Sequence, residues 1–484
     1  MAGEIRMFST MTSSPPGAGL ARSSNTGTSG FVKHHIKLDG GKQITYEAFE
    51  GSMEKPLIDK REYKLIRLEN GLEALLIHDP EADKASAAMD VRVGHLSDPE
   101  GLYGMAHFCE HLLFMGTKKY PRENEYSEYL SNHSGSSNAF TSLENTNYFF
   151  DVGYAHFEGA LDRFAQFFLE PLFDPSCSER EIRAVDSEHK KNLQSDLWRS
   201  FQLDKSLSNP SHPYSKFGTG NLATLWEKPR EMGLDIRDEL LKFHERYYSA
   251  NMMKLVVLGR ESTAKLTEWV AEKFSNVPNK QCDVPSFPGS PLSDRELGTQ
   301  VLFRTIKDVR LLDITFPFPE QADLYRSKPG QLLSHLIGHE GHGSLFSCLK
   351  QRGWANLLSA GSAIHAKGFE LFKINIDLTH EGYEHYGDVV AAVFQYIDML
   401  RAKPIEQWLY EEVQRLSELR FIFKEKSSPA MYSSTLASQM QHSLPPEWLL
   451  SGPYVLREFD APLISSTLEY LRPDRCRLML AGRE

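Results

Sequence analysis

The chain has 484 residues, of which 40% are hydrophobic and 25% are charged, so it has room for about two to four domains and is neither largely disordered nor collagen-like. Its 54 Lys and Arg against 65 Asp and Glu give a net charge of −11, opposite in sign to that expected of a protein that binds nucleic acid or an anionic membrane. Five widely spaced cysteines and the lack of a run of about 18 apolar residues predict a cytoplasmic protein with no membrane-spanning helix.

The N-terminal 30 residues are rich in Ser, Thr, Gly, Pro and Ala. Such a composition buries too little apolar surface to fold, so we predict a disordered tail that ends near residue 35. A mitochondrial transit peptide is the alternative, because these peptides are also rich in Ser and poor in acidic residues. That alternative would place the protein in the mitochondrion.

The first ordered elements follow from apolar periodicity. Alternating residues predict a strand at Tyr63–Glu69, a two-residue turn at Asn70-Gly71 and a returning strand at Leu72–Ile77. A further strand is predicted at Ala87–Val93, and helical spacing of apolar residues predicts a helix over residues 155–172. Strands and helices thus alternate, which favours sheets covered by helices.

Two features of the sequence recur at nearly the same spacing. Lys254–Glu261 returns as Arg477–Glu484, with the two glycines 223 residues apart, and a His-x-x-x-His pair at His107 returns 228 residues later at His335. Fixed spacing of this kind predicts two copies of one fold of roughly 225 residues. We therefore predict an α+β protein with two homologous domains, each a mixed, mostly antiparallel sheet covered by helices. The predicted parts are a tail (1–35), a catalytic domain (36–277), a linker (278–298) and a second domain (299–484).

The segment His107-Phe-Cys-Glu110-His111 is the sharpest motif. On a helix, His107 and His111 lie one turn apart on one face, so both imidazoles can bind one metal ion. Glu110 lies on the same face, where it can act as a general base towards water. Catalytic zinc takes three protein ligands and an open position for water, and the order His-x-x-Glu-His is the inverzincin signature. Until a third ligand is found, two histidines that only satisfy polar contacts on a helix are the alternative.

A second helix is predicted over residues 178–191, with Ser178 at its start and with Glu181 and Glu188 on one face. With this helix the chain resembles the insulysin/pitrilysin family of inverzincin metallopeptidases, whose third zinc ligand is a Glu on a downstream helix at about this distance. The resemblance implies that Glu188 is the third ligand of one Zn²⁺ per chain. It also implies that Glu181 is a carboxylate that contacts a ligand without binding the metal itself. The alternatives are a capping box between Ser178 and Glu181 and a solvated helix face for Glu188.

The resemblance extends from about residue 40 to the C-terminus and includes residues 135–142 and 216–221. It implies that Ser137, Asn138 and Ala139 form an edge strand beside the zinc on which a peptide substrate is added. Addition of a strand uses main-chain hydrogen bonds, so cleavage can be promiscuous.

The second histidine pair has Gly338 at the position of Glu110, so we predict no second catalytic metal. The resemblance implies instead that this stretch is an exosite that holds the N-terminus of the substrate. In that exosite, the main chain at Gly338 and the carboxylate of Glu340 meet the substrate's ammonium group.

By resemblance, the chain is a zinc metalloendopeptidase of the LuxS/mitochondrial-processing-peptidase-like metallohydrolase fold that hydrolyses small flexible peptides. The resemblance covers the N-terminal half of the family, whose C-terminal half supplies an Arg and a Tyr to the site. We therefore expect weak activity from this half alone, or completion of the chamber by a second copy or by a C-terminal half. The alternatives are a substrate-binding or regulatory half without efficient catalysis, and a subunit of a two-chain mitochondrial-type processing peptidase.

Overall fold

The computed structural model describes residues 30–38 and 41–483, so the predicted disorder of residues 1–29 lies outside the described residues. The assignment of residues 31–35 to the tail is wrong, because a strand begins at Phe31. This strand pairs antiparallel along its whole length with Gln43–Phe49, and its main-chain groups are therefore hydrogen-bonded within a sheet.

The first sheet is built from the N-terminal half of the chain. Its strands are β1 (Phe31–Lys37), β2 (Gln43–Phe49), β3 (Glu62–Leu68), β4 (Glu73–His78), β5 (Lys84–Val91), β6 (Ser136–Thr141), β7 (Thr146–Gly153) and β8 (Met253–Gly259). They are arranged in the order β1-β2-β3-β4-β8-β5-β7-β6. The predicted hairpin is confirmed as β3 and β4, and its turn uses Gly71 at a φ of 84°, a conformation that glycine adopts without steric cost.

The second sheet is built from the C-terminal half. Its strands are β9 (Thr299–Arg304), β10 (Leu311–Phe318), β11 (Ala355–Ala366), β12 (Phe369–Leu378) and β13 (Arg477–Gly482). They are arranged in the order β11-β12-β10-β13-β9. This order repeats β6-β7-β5-β8-β4 of the first sheet strand for strand, and β4–β8 and β13–β9 are both parallel pairs. The sheets therefore confirm the α+β class and the duplication that the sequence predicts.

Helices cover both sheets. In the N-terminal half they are α1 (Met105–Leu113), α2 (Glu125–Asn132), α3 (Phe157–Leu169), α4 (Pro175–Asn192), α5 (Asp196–Ser206), α6 (Lys228–Glu231), α7 (Ile236–Tyr247) and α8 (Thr263–Phe274). In the C-terminal half they are α9 (Pro329–Ile337), α10 (Leu345–Gln351), α11 (His380–Glu384), α12 (Tyr386–Ala402), α13 (Gln407–Ile422), α14 (Pro429–Gln439) and α15 (Ala461–Leu468). The apolar faces of α3 and α8 pack on the first sheet, and those of α9 and α12 pack on the second, which removes the contacting surfaces of helix and sheet from water.

In addition, one helix from each half packs on the sheet of the other half. Helix α14 packs on the second face of the first sheet, where Tyr432 and Leu436 are buried with Leu75 of β4. Helix α5 packs against the second sheet, and its Asp204 makes a buried ion pair with Arg477 of β13. The predicted second domain is thus not one spatial unit, because α14 stabilises the first sheet.

Residues 278–298 contain neither helix nor strand in the structure. They are nevertheless packed, since Phe287 and Leu292 are buried with Leu371 of β12. Among the described residues, no helix combines the length and the apolar character that crossing a bilayer requires.

Candidate metal centre

Helix α1 carries the histidine motif, and its start is fixed by a buried carboxylate. Asp98 accepts hydrogen bonds from the backbone N–H groups of Gly104 (2.6 Å) and Ala106 (2.8 Å), two of the donors that a helix start leaves without partners. Burial raises the pKa of Asp98 to about 7, against the lowering effect of these two bonds. A Cβ on Gly104 would lie 2.2 Å from the Cα of Gly220, so only glycine allows the loop that contains Gly220 to approach the helix start this closely.

Helix α4 begins earlier than predicted. Asp174 caps it by accepting from the backbone N–H of Ser176, and Ser178 lies inside the helix with its hydroxyl buried and without a hydrogen-bond partner. The predicted start at Ser178 is therefore wrong, and with it the capping box between Ser178 and Glu181. Because Glu181 and Glu188 are two turns apart, both carboxylates face α1.

The two helices bring together three side chains that could hold a metal ion. His107, His111 and Glu188 each offer one ligand atom, and these atoms lie within 4.8 Å of one another. The Nε2 atoms of His107 and His111 are 3.5 and 3.8 Å from Oε2 of Glu188. The carboxylate of Glu188 is 41% exposed, so the site is open to water on one side.

Hydrogen bonds to the far nitrogen of each imidazole fix its orientation. Nδ1 of His107 donates to the carbonyl oxygen of Thr219 (2.7 Å), and Nδ1 of His111 donates to the carboxylate of Glu181 (3.2 Å). Both Nδ1 atoms therefore donate a proton to these acceptors, which leaves Nε2 of each ring, beside Glu188, as the atom available to a metal ion. A set of two neutral imidazoles and one carboxylate, with a side open to water, fits catalytic zinc.

The same carboxylates shift the titration of the metal-free site. Burial lowers the pKa of His111, but hydrogen bonds to Glu181 and Glu188 outweigh it and raise the pKa to about 9. The hydrogen bond with His111 holds the pKa of Glu188 below its ordinary value. Without a metal, the site therefore favours a negatively charged Glu188 beside a positively charged His111. When His111 loses its proton, the negative charge of Glu188 is left to attract a cation.

Glu110 lies beside this group on α1 and is 7% exposed. The hydroxyl of Thr141 donates to its Oε2 at 2.5 Å. Burial raises the pKa of Glu110 against the lowering effects of His107 and Thr141. A carboxylate whose pKa is raised above its ordinary value accepts a proton more readily near neutral pH, as a general base must.

These residues line a cleft of about 620 Å³ between α1, β6 and α5. Strand β6 forms one wall and is an edge strand, because it pairs only with β7 among the described residues. Its residues Ser137, Asn138 and Ala139 thus have one unpaired side, and Asn138 and Ala139 line the cleft together with His107. The opposite wall is α5, whose Trp198 and Phe201 are also part of the lining.

The remaining predicted residues lie elsewhere. Gly338 caps the C-terminus of α9, with its N–H bonded to Ser334, and Glu340 follows as an exposed residue. A Cβ on Gly338 would lie 3.8 Å from the backbone nitrogen of Ala360 in β11, so this stretch adjoins the free edge of the second sheet. The structure places it in the second domain and not in the cleft beside Glu188.

Sequence motifs did not reveal the contacts that orient the site. Thr141 and Thr219 lie in segments that resemble the family, but their roles depend on hydrogen bonds to α1 that no spacing predicts.

A second unexpected feature is a buried pair in the cleft wall, where Nζ of Lys205 lies 2.6 Å from Nε2 of His95. Burial lowers the pKa of Lys205 to about 7 and that of His95 well below its ordinary value, so the ring of His95 is neutral at pH 7 and can accept a hydrogen bond from Lys205.

Comparison with known families gives three adjoining matches. Residues 73–211 match "Insulinase (Peptidase family M16)", residues 235–417 match "Peptidase M16 inactive domain", and residues 421–484 match "Middle or third domain of peptidase_M16". The first match contains the complete cluster of His107, His111 and Glu188.

Individual relatives agree with these matches. The chain is 52% identical to human insulin-degrading enzyme over 425 residues, which are 88% of this chain and 42% of that protein. It is 47% identical to the A-factor-processing enzyme of Saccharomyces cerevisiae over 90% of this chain and 43% of that protein. The crystal structure of pitrilysin superposes with a TM-score of 0.87 at 33% identity, over 91% of this chain and 46% of that chain. The chain therefore spans less than half the length of these relatives.

Proposed function

Because the chain belongs to the insulinase family, peptidase family M16, we propose that it is a zinc metalloendopeptidase that hydrolyses small flexible peptides. One observation carries the proposal. His107, His111 and Glu188 converge within 4.8 Å beside a buried carboxylate, Glu110, that belongs to no ion pair with Lys or Arg among the described side chains.

Each residue then has a defined task. His107, His111 and Glu188 hold the ion, which when bound supplies the Lewis acidity that makes water a nucleophile at neutral pH. Glu110 accepts the proton of the attacking water at its carboxylate and passes it to the amine that leaves. The hydrogen bond from Thr141 keeps the Glu110 side chain in place for both transfers.

The substrate is held by the edge of the first sheet. A peptide that adds to β6 exchanges main-chain hydrogen bonds with Ser137, Asn138 and Ala139, which pair with no strand on that side in the part of the chain that the structure describes. This mode requires an extended peptide segment and reads few side chains. We therefore propose flexible peptides as the substrate class, in keeping with relatives named for the degradation of insulin and the processing of A-factor, and Gly338 and Glu340 as a second point of attachment for the substrate N-terminus.

Further polypeptide completes the site in this proposal. A peptidase also needs a donor for the oxyanion of the tetrahedral intermediate, and the relatives contain more than twice the length of this chain. We propose that a second copy of the chain, or a C-terminal half, supplies that donor. Removal of one oxyanion donor typically lowers the rate by about 10²–10³-fold, so we expect weak activity from the chain alone.

The proposed location is the cytoplasm. None of the five cysteines, all of which the structure describes, forms a disulfide, and a reducing compartment keeps thiols in this state.

The test is Glu110→Gln. We expect cleavage of a quenched fluorescent peptide to fall by about 10²–10⁴-fold, while elemental analysis still finds one zinc per chain. His335→Ala, which changes the histidine of the second pair, is the matched control and should leave the zinc content unchanged. Cleavage that persists at the parent rate in Glu110→Gln contradicts the proposal.

A regulatory or substrate-binding half is the second candidate, and the short span relative to the relatives is what favours it. It predicts that the parent protein binds zinc and peptide but cleaves no faster than Glu110→Gln. Addition of a separately expressed C-terminal half of a relative would then raise the rate only if the two halves assemble, which sedimentation velocity measures.

A further inference from the structure

One wall of the metal cleft contains a buried pair of polar residues, Lys205 and His95, that the proposed function does not use. Lys205 of α5 is 0% exposed, and His95, which begins a short 3₁₀ helix (His95–Ser97), is 6% exposed. Both residues line the cleft together with His107. Burying two such groups costs free energy unless each is hydrogen-bonded, so their place beside a candidate metal ligand is informative.

Lys205 depends on His95 for its hydrogen bonding. Among the described residues, the ring of His95 is the only acceptor for the amine group of Lys205, although an ammonium group has three N–H donors. The rings of Phe201 and Tyr214, whose centres lie 5.4 and 5.7 Å from Nζ, compensate in part. A side chain at position 95 that cannot accept would therefore leave Lys205 without an acceptor in this wall.

The ring of His95 contacts the loop that orients a candidate metal ligand. A Cβ on Gly218 would lie 2.6 Å from Cγ of the ring, so the ring packs directly on the main chain of Gly218. The next residue is Thr219, whose carbonyl oxygen accepts from Nδ1 of His107 at 2.7 Å. The contact with His95 and the acceptor for His107 are thus on consecutive residues, and a shift of the His95 ring moves that acceptor.

The ends of this loop are held by other contacts. Nζ of Lys216 donates to the carbonyl oxygen of Asp98 at 2.7 Å, and Gly220 lies against Gly104 at the start of α1. Between these ends, Gly218 has no side chain to pack, so its position depends on what its main chain contacts.

The backbone of His95 is fixed independently of its ring. Its N–H donates to the carbonyl oxygen of Ser142 at 3.0 Å, and a hydrogen bond between the ring and the backbone of Ser142 raises the pKa of His95 against the effect of burial. The bond from Lys205 to Nε2, at 2.6 Å, holds the ring from α5. The ring is therefore held from two sides of the cleft wall.

We propose that Lys205 and His95 are positioning residues for the metal ligand His107. The hydrogen bond from Lys205 holds the His95 ring against Gly218. The ring in turn keeps the carbonyl oxygen of Thr219 at Nδ1 of His107. The proposal rests on the proposed function, since it takes His107 as a zinc ligand. Outer contacts that orient a metal-binding histidine typically change metal affinity by about 10–100-fold.

The test measures the zinc affinity of the full chain by competition with a fluorescent chelator. Lys205→Met removes the donor and His95→Leu removes the acceptor. We expect each to lower zinc affinity by about tenfold or more and to change the visible absorption of the Co²⁺-substituted protein, which reports the geometry of the ligands. The double variant should lose little more than either single variant, because both break the same bond.

A conservative variant tests the hydrogen bond itself. His95→Gln should retain most of the parent affinity, because its amide oxygen can still accept from Lys205. If Lys205→Met does not fold, as shown by circular dichroism, the comparison of His95→Gln with His95→Leu decides. Parent affinity and an unchanged Co²⁺ spectrum in His95→Leu overturn the proposal.

Arg477→Met is the control for a general loss of stability. It breaks the buried ion pair of Asp204, the residue before Lys205 on α5, so it should lower the free energy of unfolding without lowering the zinc affinity of the folded protein. An equal loss of zinc affinity in Arg477→Met would show that any disturbance of α5 acts on the site, and would overturn the proposal. Absence of zinc from the parent protein contradicts the proposed function itself, whereas zinc in the parent with unchanged affinity in the variants contradicts only the positioning roles.

Discussion

The two domains repeat one strand order, yet their histidine helices end differently. Helix α1 continues to Leu113, two residues past His111, so both histidines of its motif are inside the helix and their ring centres are 4.8 Å apart. Helix α9 ends at Ile337, so His339 lies beyond it, and the ring centres of His335 and His339 are 5.7 Å apart. The spacing in sequence is the same, but the second pair no longer shares one helical face.

The facing helices differ even more. In the first domain α4 presents Glu181 and Glu188 to the histidines. In the second domain α13 takes this place, and its residues Val413, Leu416, Ser417 and Arg420 line one small cavity together with His335. Burial, His339 and Arg420 lower the pKa of His335, against Glu412 alone. The comparison teaches that the same histidine spacing yields a group of three possible metal ligands only where the packed neighbouring helix supplies a carboxylate.

The largest expected effect comes from making the first site resemble the second. Glu188→Leu removes a ligand and should lower zinc affinity on the order of 10³-fold, with loss of peptide cleavage. Competition with a fluorescent zinc chelator measures the affinity. The reverse change, Leu416→Glu, should create no zinc site, because His339 lies past the end of α9. Stoichiometric zinc at the second position would show that helix geometry is not the limiting factor.

The exchanged helices offer a second contrast. The pair of Asp204 on α5 with Arg477 is 2.6 Å long and almost fully buried; Asp204 also accepts from the hydroxyl of Tyr214 at 3.0 Å and lies 3.5 Å from Nζ of Lys373. Arg477→Met should cost about 3–5 kcal/mol in the free energy of unfolding, because it leaves a buried charge poorly paired. Ser438→Ala on α14 removes one of several neutral hydrogen bonds to buried Asp90 and should cost about 1 kcal/mol. Urea denaturation measures the free energy of unfolding of both variants. Equal losses in Arg477→Met and Ser438→Ala would contradict the expected difference between the two helices.

A smaller effect on zinc affinity is expected from Glu181, which accepts a hydrogen bond from His111. Glu181→Gln keeps a hydrogen-bond acceptor near Nδ1 of His111 but removes its charge, so zinc affinity should fall by about 10–100-fold. Glu179→Gln, on the same helix and ion-paired with Arg183 at the surface, is the control and should leave the affinity unchanged. A wild-type affinity in Glu181→Gln would mean that Glu181 serves packing alone.

A pH-dependent effect concerns the acid stability of the first domain. Burial, assisted by Lys280, lowers the pKa of His244 to about 3, so the unfolded chain takes up a proton below about pH 6.5 that the folded chain does not. Stability is therefore complete above pH 6.5 and declines as the pH falls towards 3, by roughly 2 kcal/mol at pH 5. His244→Phe should remove this part of the decline in thermal melts, whereas the exposed control His380→Gln should not. Parallel pH profiles for parent and His244→Phe would contradict the assignment.

Much of this protein follows from local sequence. Apolar alternation predicted the β3–β4 hairpin, a fixed spacing predicted the duplication, and the order of residues in His107–His111 predicted the helix that carries the candidate metal ligands. These features can be predicted from the sequence because hydrophobic periodicity, turn residues and one-turn spacing are properties of neighbouring residues. Errors arose at element ends: β1 begins within the predicted tail, and α4 begins with Asp174 as its cap and not with Ser178.

Tertiary structure alone decided which candidates act together. Nothing in the spacing shows that Thr219 fixes the ring of His107, that Thr141 contacts Glu110, or that α14 covers the other domain's sheet. It also decided that His95 and Lys205, 110 residues apart in sequence, form one buried pair in the cleft wall. These relations join residues that are distant along the chain, and only the packing of helices on sheets determines which of them meet and how far each is shielded from water.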